Sequence, residues 1–222
     1  MSVNKIIVAI DENQMNRIVY LMDELSSEIK WVKVGMEAYF SLGPSLIEYY
    51  QKKGLKIFLD LKLFDIPTTV AKSIATLAKM NVDILNIHAQ GGYEMMARAK
   101  EALLHSSHPP LLIAVTKLTS TEEKEAQSNS VLLAQEAYRA GLDGVVASAL
   151  DAKLIKEKTH SSFKIISPGI RASSDLQNDQ QRTMSAHDAL KNGADYLVIG
   201  RPITAAHKPR ETFQNIIQGI NI

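Results

Sequence analysis

Three charged residues fall within the stretch Asp60-Leu61-Lys62-Leu63-Phe64-Asp65-Ile66-Pro67, directly after the apolar run Leu55-Lys56-Ile57-Phe58-Leu59. The run reads as a buried strand. Residues two apart on a strand share a face, so Asp60 and Lys62 are expected to point the same way. Asp65 falls beyond the strand, in a turn stopped by Pro67. An acid, a base and an acid at the mouth of an apolar segment cost desolvation free energy unless they pair or do chemistry. A structural ion pair at a strand end is one reading and a catalytic array is the other. The pattern limits the chemistry. A lysine that forms a Schiff base must be neutral, which calls for apolar or cationic neighbours. Lys62 instead has carboxylates two positions before and three after it. A charge pair at about 4 Å is worth about 4 kcal/mol at an effective dielectric near 20, so Lys62 is expected to stay a cation. It is placed to be an acid.

Other polar residues stand where apolar strands end. Asp11 follows the run Ile6 to Ile10, Lys33 sits inside Trp31 to Gly35, and Ser148 follows Gly144 to Ala147. Ser167-Pro168-Gly169-Ile170-Arg171 and Ile199-Gly200-Arg201-Pro202 put glycine and arginine after two consecutive strands. Glycine lets backbone N–H groups approach an anion, and arginine grips it with two parallel bonds. Either pair alone reads as a turn; together they read as a phosphate site.

These residues need a scaffold that gathers strand ends. Short β-rich apolar runs alternate with helical stretches every 20 to 30 residues or so. The strands are read as Ile6–Ile10, Trp31–Gly35, Leu55–Leu59, Val82–His88, Leu111–Val115, Gly144–Ala147, Phe163–Ser167 and Asp195–Ile199. Between the second and third strands one helix is expected, bracketed by Pro44 and Gly54. Lys117 to Ser130 reads as a polar loop before a helix from Val131 to Ala140, and Pro168 to Thr183 as the least structured segment. Trp31 is expected to pack against a helix. Eight strand–helix units with buried, parallel-type strands predict one (β/α)8 TIM barrel over residues 1–222. A doubly wound sheet fits less well, because no Gly-x-Gly-x-x-Gly follows the first strand. In a barrel the chemistry lies at the C-terminal strand ends, where the charges fall.

Composition excludes several classes. The chain is 45% hydrophobic and 22% charged with a formal net charge of +1, which argues against a nucleic-acid stripe or a membrane-binding basic surface. Without cysteine there is no disulfide, thiolate nucleophile or cysteine metal cage. The N-terminal apolar run is too short for a signal peptide or a membrane span, so a cytoplasmic location is expected.

The assembled motifs resemble the orotidine 5'-phosphate decarboxylase family. Asp60 to Thr69 is similar to its Asp-x-Lys-x-x-Asp-Ile-Pro-x-Thr signature, with Leu118-Thr119-Ser120, Ser167 to Arg171, Asp179-Gln180 and Ile199 to Pro202 following in the family's order. No motif position departs from the pattern. The resemblance implies a cofactor-free and metal-free enzyme that converts orotidine 5'-phosphate to UMP and CO2. Lys33, Asp60, Lys62 and Asp65 would form an alternating charged network beside the substrate carboxylate, and Lys62 would protonate the carbanion at C6. Asp65, with Ile66 and Thr69, would reach into the neighbouring subunit's site, making the active form a homodimer. Asp11 and Lys33 would hold the ribose hydroxyls. Thr119 and Ser148 would lie along the nucleotide. Gln180, Gly200 and Arg201 would bind the phosphate, with Arg171 at the start of a closing loop. His88, near the site, has no partner that would make it a base and reads as a packing residue.

Two other functions compete. Phosphate-binding barrel enzymes of the same broader group, pentulose-phosphate aldolases or β-keto acid decarboxylases, share Asp-x-Lys-x-x-Asp but use a metal and a carboxylate on the second strand; Lys33 stands there instead. A non-catalytic nucleotide-phosphate binder would have no need of the charged array.

Overall fold

Short apolar runs buried on both faces set the barrel strands. The computed structural model describes residues 2–116, 123–171 and 184–220, without the side chains of 2, 123–128 and 171. Among these, the strands are β1 (Ile6–Ala9), β2 (Trp31–Val34), β3 (Lys56–Leu63), β4 (Ile84–His88), β5 (Leu111–Val115), β6 (Gly144–Val146), β7 (Lys164–Ser167), β8 (Ile170–Arg171), β9 (Met184–Ser185) and β10 (Tyr196–Ile199). The helices are α1 (Met15–Leu25), α2 (Met36–Leu42), α3 (Pro44–Lys52), α4 (Pro67–Ala78), α5 (Gly92–Glu101), α6 (Glu123–Arg139), α7 (Ala152–Lys158), α8 (Ala186–Lys191), α9 (Arg201–Thr204) and α10 (Pro209–Ile220).

Eight parallel strands close a barrel in the order β1-β10-β7-β6-β5-β4-β3-β2. The fold is therefore the expected (β/α)8 barrel. Period two splits its core into two layers. Ile7, Trp31, Phe58, Ile84, Ile113 and Ile166 fill the barrel's interior. Their neighbours Val8, Val32, Ile57, Leu85, Leu112 and Ile165 face the helices, where Ile18, Leu21, Val70, Ile74 and Met95 cover them.

Four local readings need correction. Trp31 packs inside the barrel, edge-on to Tyr196 at 5.4 Å, rather than against a helix. Two helices, not one, join β2 to β3, because Gly43 at φ +66 lets the chain turn between α2 and α3. Helix α6 begins at Glu123, inside the expected polar loop. Its first turns, Glu123-Lys124-Glu125-Ala126-Gln127, are good helix formers without an apolar repeat, so periodicity alone does not reveal them. Finally, β8 pairs with β9, Ile170 opposite Met184 and Arg171 opposite Ser185, so parts of the segment from Pro168 onward are ordered as a small second sheet.

Candidate active site

The charged array is a continuation of the barrel's interior column. Two residues beyond Trp31 on β2 is Lys33, two beyond Phe58 on β3 is Asp60, and two beyond Ile84 on β4 is Asn86. Alternation carries all three onto the same inner face, near the C-terminal strand ends. Asp60 is the hub. Its Oδ2 lies 3.0 Å from Lys33 Nζ and its Oδ1 lies 2.8 Å from Lys62 Nζ. Asn86 Nδ2 donates to the same Oδ1 at 2.6 Å. At 7% exposure, burial by itself pushes the Asp60 carboxyl up. The ammonium groups of Lys33 and Lys62, with hydrogen bonds from Lys62 and Asn86, outweigh it and hold the carboxyl below its ordinary value.

Lys62 reaches Asp60 by a route that simple alternation does not describe. Leu59 pairs with Leu85 but Leu63 pairs with Ile87, so Asp60, Leu61 and Lys62 all stand opposite Asn86. This bulge puts Lys62 at φ +50, a left-handed conformation that costs a non-glycine residue about 1 to 2 kcal/mol. Asn86 Oδ1 accepts the Lys62 backbone N–H at 2.8 Å. Strand β3 thus runs on to Leu63, past the expected end at Leu59, and it carries the array within itself.

Asp65 stands apart from this cluster within the chain. It is exposed, and its Oδ1 accepts the N–H of Ile66 at 2.7 Å. No ion pair joins it to Lys62 among the described residues. Phe64 and Ile66 are 60% and 66% exposed, and Thr69 is exposed in the first turn of α4. The structure therefore joins three of the four expected charges, and presents the fourth outward beside exposed apolar side chains.

Asp11, Ser148, Gly200 and Arg201 follow other strands around the same mouth. Asp11 follows β1, and its Oδ1 accepts the N–H of Ala38 in the first turn of α2 at 3.3 Å. A Cβ at Gly35 would lie 2.4 Å from an Asp11 carboxylate oxygen, so a glycine is needed there for Asp11 to sit as it does. Ser148 Oγ accepts the N–H of Leu150 at 3.3 Å, just past β6. Gly200 follows β10 and leads into exposed Arg201, with Ala9 of β1 close behind it. The backbone of Arg171 lies in β8. Thr119 and Gln180 lie outside the described residues. The two Gly–Arg runs follow neighbouring strands, β7 and β10. In the ring, β7 is four strands from β3 in either direction. The Gly–Arg run after β7 therefore starts on the opposite side of the barrel from the strand that carries Asp60 and Lys62, and the run after β10 starts between them.

His88 ends β4, its ring 5.6 Å from that of Phe64 and its Nδ1 accepting the N–H of Gln90. Burial and the Lys62 cation hold its imidazole below the ordinary range. Sequence reasoning missed Asn86 and Gly35. Asn86 carries a signal of the kind that singled out Lys33: one polar residue within the apolar strand Ile84-Leu85-Asn86-Ile87.

A family model described as Orotidine 5'-phosphate decarboxylase / HUMPS family matches residues 4–216. An orotidine 5'-phosphate decarboxylase of Wigglesworthia glossinidia brevipalpis is 41% identical over 100% of this chain and 99% of its own. One from Streptococcus agalactiae is 44% identical over 95% of this chain and 94% of its own. The crystal structure of orotidine 5'-phosphate decarboxylase from Lactobacillus acidophilus superposes with a TM-score of 0.85 at 32% identity, covering 99% of this chain and 100% of that one. Model, relatives and superposition all span the strands that carry Asp60, Lys62 and Asn86, and the chain belongs to the orotidine 5'-phosphate decarboxylase / HUMPS family.

Proposed function

We infer from the site and the family that this enzyme is a carboxy-lyase of pyrimidine biosynthesis, converting orotidine 5'-phosphate to UMP and CO2. One observation carries the mechanism: Lys62 Nζ is held 2.8 Å from a buried carboxylate that a second ammonium group also binds. In the reaction the bond from C6 to the carboxylate carbon breaks, CO2 leaves, and the electron pair stays on C6. The Lys62 ammonium lies next to that developing charge, stabilises it and then gives it a proton; water afterwards restores the lysine. Asp60 fixes the direction of Nζ and sits close to the departing carboxylate. Asp11 and Lys33 hold the ribose, and Ser148 and Thr119 lie along the nucleotide. Gly200, Arg201, Gln180 and Arg171 take the phosphate. Binding energy from the phosphate, remote from C6, is then available to orient the reacting ring.

The site residues suit a metal-free reaction, since both oxygens of Asp60 face lysine ammonium groups that compete with a divalent cation. Lys33 also occupies the second-strand position where the metal-dependent relatives carry a carboxylate. The exposed turn Phe64-Asp65-Ile66 supports a homodimer in which Asp65 completes the partner's network. No helix among the described residues is long and apolar enough to cross a membrane, and the lack of cysteine fits a cytoplasmic enzyme.

The test is ultraviolet absorbance of orotidine 5'-monophosphate with the purified protein and a chelator, beside Lys62→Ala. Loss of the orotate band with wild type and its persistence with the variant are expected. Persistence with both, and turnover of a sugar phosphate only when Mg²⁺ is added, would replace this reading with the metal-dependent one.

A further inference from the structure

We propose that Asn86 is the positioning residue that holds the proton donor in register, a role that rests on the decarboxylase reading above. Asn86 is 1% exposed, and both ends of its carboxamide have a partner. One end donates to Asp60 Oδ1 at 2.6 Å and the other accepts the Lys62 backbone N–H at 2.8 Å. Asn86 is the single β4 residue facing the three-residue bulge of β3, and Lys62 occupies the left-handed conformation directly across from it. A strained backbone persists only where its surroundings over-determine it. Here the determining contact is one amide. It aims the carboxylate and fixes the backbone from which the ammonium group hangs, so Nζ and Oδ1 meet on one side of Asp60.

Only an uncharged amide satisfies both partners. The groups facing it are Asp60 and Lys62 from β3, Lys33 beyond Asp60 on β2, and His88 two residues along β4, while its partner on β5, Ile113, is apolar. Alanine removes both bonds. Serine keeps a short hydroxyl but cannot span the two partners. Aspartate keeps an acceptor for the Lys62 N–H, but it replaces the N–H donor with a carboxyl that must stay protonated to serve Asp60. A second carboxyl buried beside Asp60 titrates high, through burial and like charge. Ionising it removes the donor and sets two negative charges side by side.

The experiment combines kinetics on orotidine 5'-monophosphate with amide hydrogen exchange of wild type, Asn86→Ala, Asn86→Ser and Asn86→Asp. A misplacement of the reacting group by about 1 Å costs on the order of 100-fold, so kcat of Asn86→Ala and Asn86→Ser is expected to fall by about that factor, with KM little changed because the phosphate and ribose contacts are untouched. Activity of Asn86→Asp should fall with rising pH through a new ionisation that wild type lacks. A residue that merely fills space would lower activity equally at all pH values. In Asn86→Ala the Lys62 amide should exchange faster while amides elsewhere in the barrel keep their protection. Unchanged kcat in Asn86→Ala, or a Lys62 amide as protected as in wild type, would overturn the proposal. If wild-type protein leaves the orotate band intact, the decarboxylase reading falls, and the exchange result alone decides whether Asn86 holds Lys62.

Discussion

Asp60 is bound by two cations and an amide, and these partners make its ionised form part of the fold's stability. Its carboxyl is held below the ordinary value of 3.8. A carboxylate with a depressed value in the fold stabilises it fully above the unfolded value, and that contribution is lost as pH falls through the folded value. Stability measured by urea unfolding should therefore be flat near neutral pH and fall below about pH 4, with the Asp60→Asn variant showing a shallower fall. An equally steep fall in the variant would mean that other carboxylates govern acid unfolding. Gly35 makes a separate prediction. A methyl group there would meet the Asp11 carboxylate at 2.4 to 2.6 Å, so Gly35→Ala must displace Asp11. Loss of one hydrogen bond to a charged group is worth about 1.5 to 3 kcal/mol, so KM should rise by roughly 10-fold or more with the barrel still folded. Lys33, Asp60 and Lys62 were legible in the sequence because each is a charge in an apolar context. Gly35 was not, since a glycine that makes room for another residue's side chain leaves no local trace.

At the level of elements, apolar runs revealed the barrel strands, while charge and irregularity hid the details. The strand reading stopped at Leu59 because charges normally lie outside strands. The bulge keeps β3 paired through Leu63 even so. Its consequence is the short turn into α4, where Phe64, Asp65 and Ile66 are exposed together. An isolated chain gains nothing from exposing two large apolar side chains on either side of an acid, and a symmetric partner would cover them. If Asp65 completes the partner's site, Lys62→Ala and Asp65→Ala proteins should each be nearly inactive alone, yet regain activity when mixed under conditions of subunit exchange. Random pairing restores about a quarter of the sites, since half the dimers are mixed and each of those has one intact site. Assay of the mixture against the separate variants checks this, and absence of recovery would confine Asp65 to its own chain.

For the molecule as a whole, two sets of charges occupy opposite ends of the barrel. Lys33, Asp60 and Lys62 meet near the C-terminal strand ends. At the other end, an aspartate immediately before each of three alternate barrel strands closes the rim. Asp83 precedes β4 and accepts the Ile57 N–H of β3 at 2.8 Å. Asp143 precedes β6 and accepts the Leu112 N–H of β5 at 2.8 Å, with Lys100 of α5 at 2.6 Å. Asp195 precedes β10 and accepts the Ile165 N–H of β7 at 2.9 Å, with Lys156 of α7 at 2.8 Å. Each carboxylate takes a donor at the start of the preceding strand, and two of them also tie in a helix by its lysine. In the sequence, Asp83 and Asp195 read as parts of the fourth and eighth strands and none of the three shows a role, because only closure of the barrel brings each partner within reach. Asp195→Ala leaves the buried Ile165 N–H without its carboxylate and parts Lys156 and Lys164 from their common partner. An orphaned buried donor costs about 1 to 3 kcal/mol, which for a chain of this length lowers Tm by about 2 to 12 °C. Because no part of this rim touches the charged array, kcat and KM below the transition should match wild type. Calorimetry and the orotate assay on one preparation test both halves. A loss of activity at full stability would mean that the two ends of the barrel are coupled.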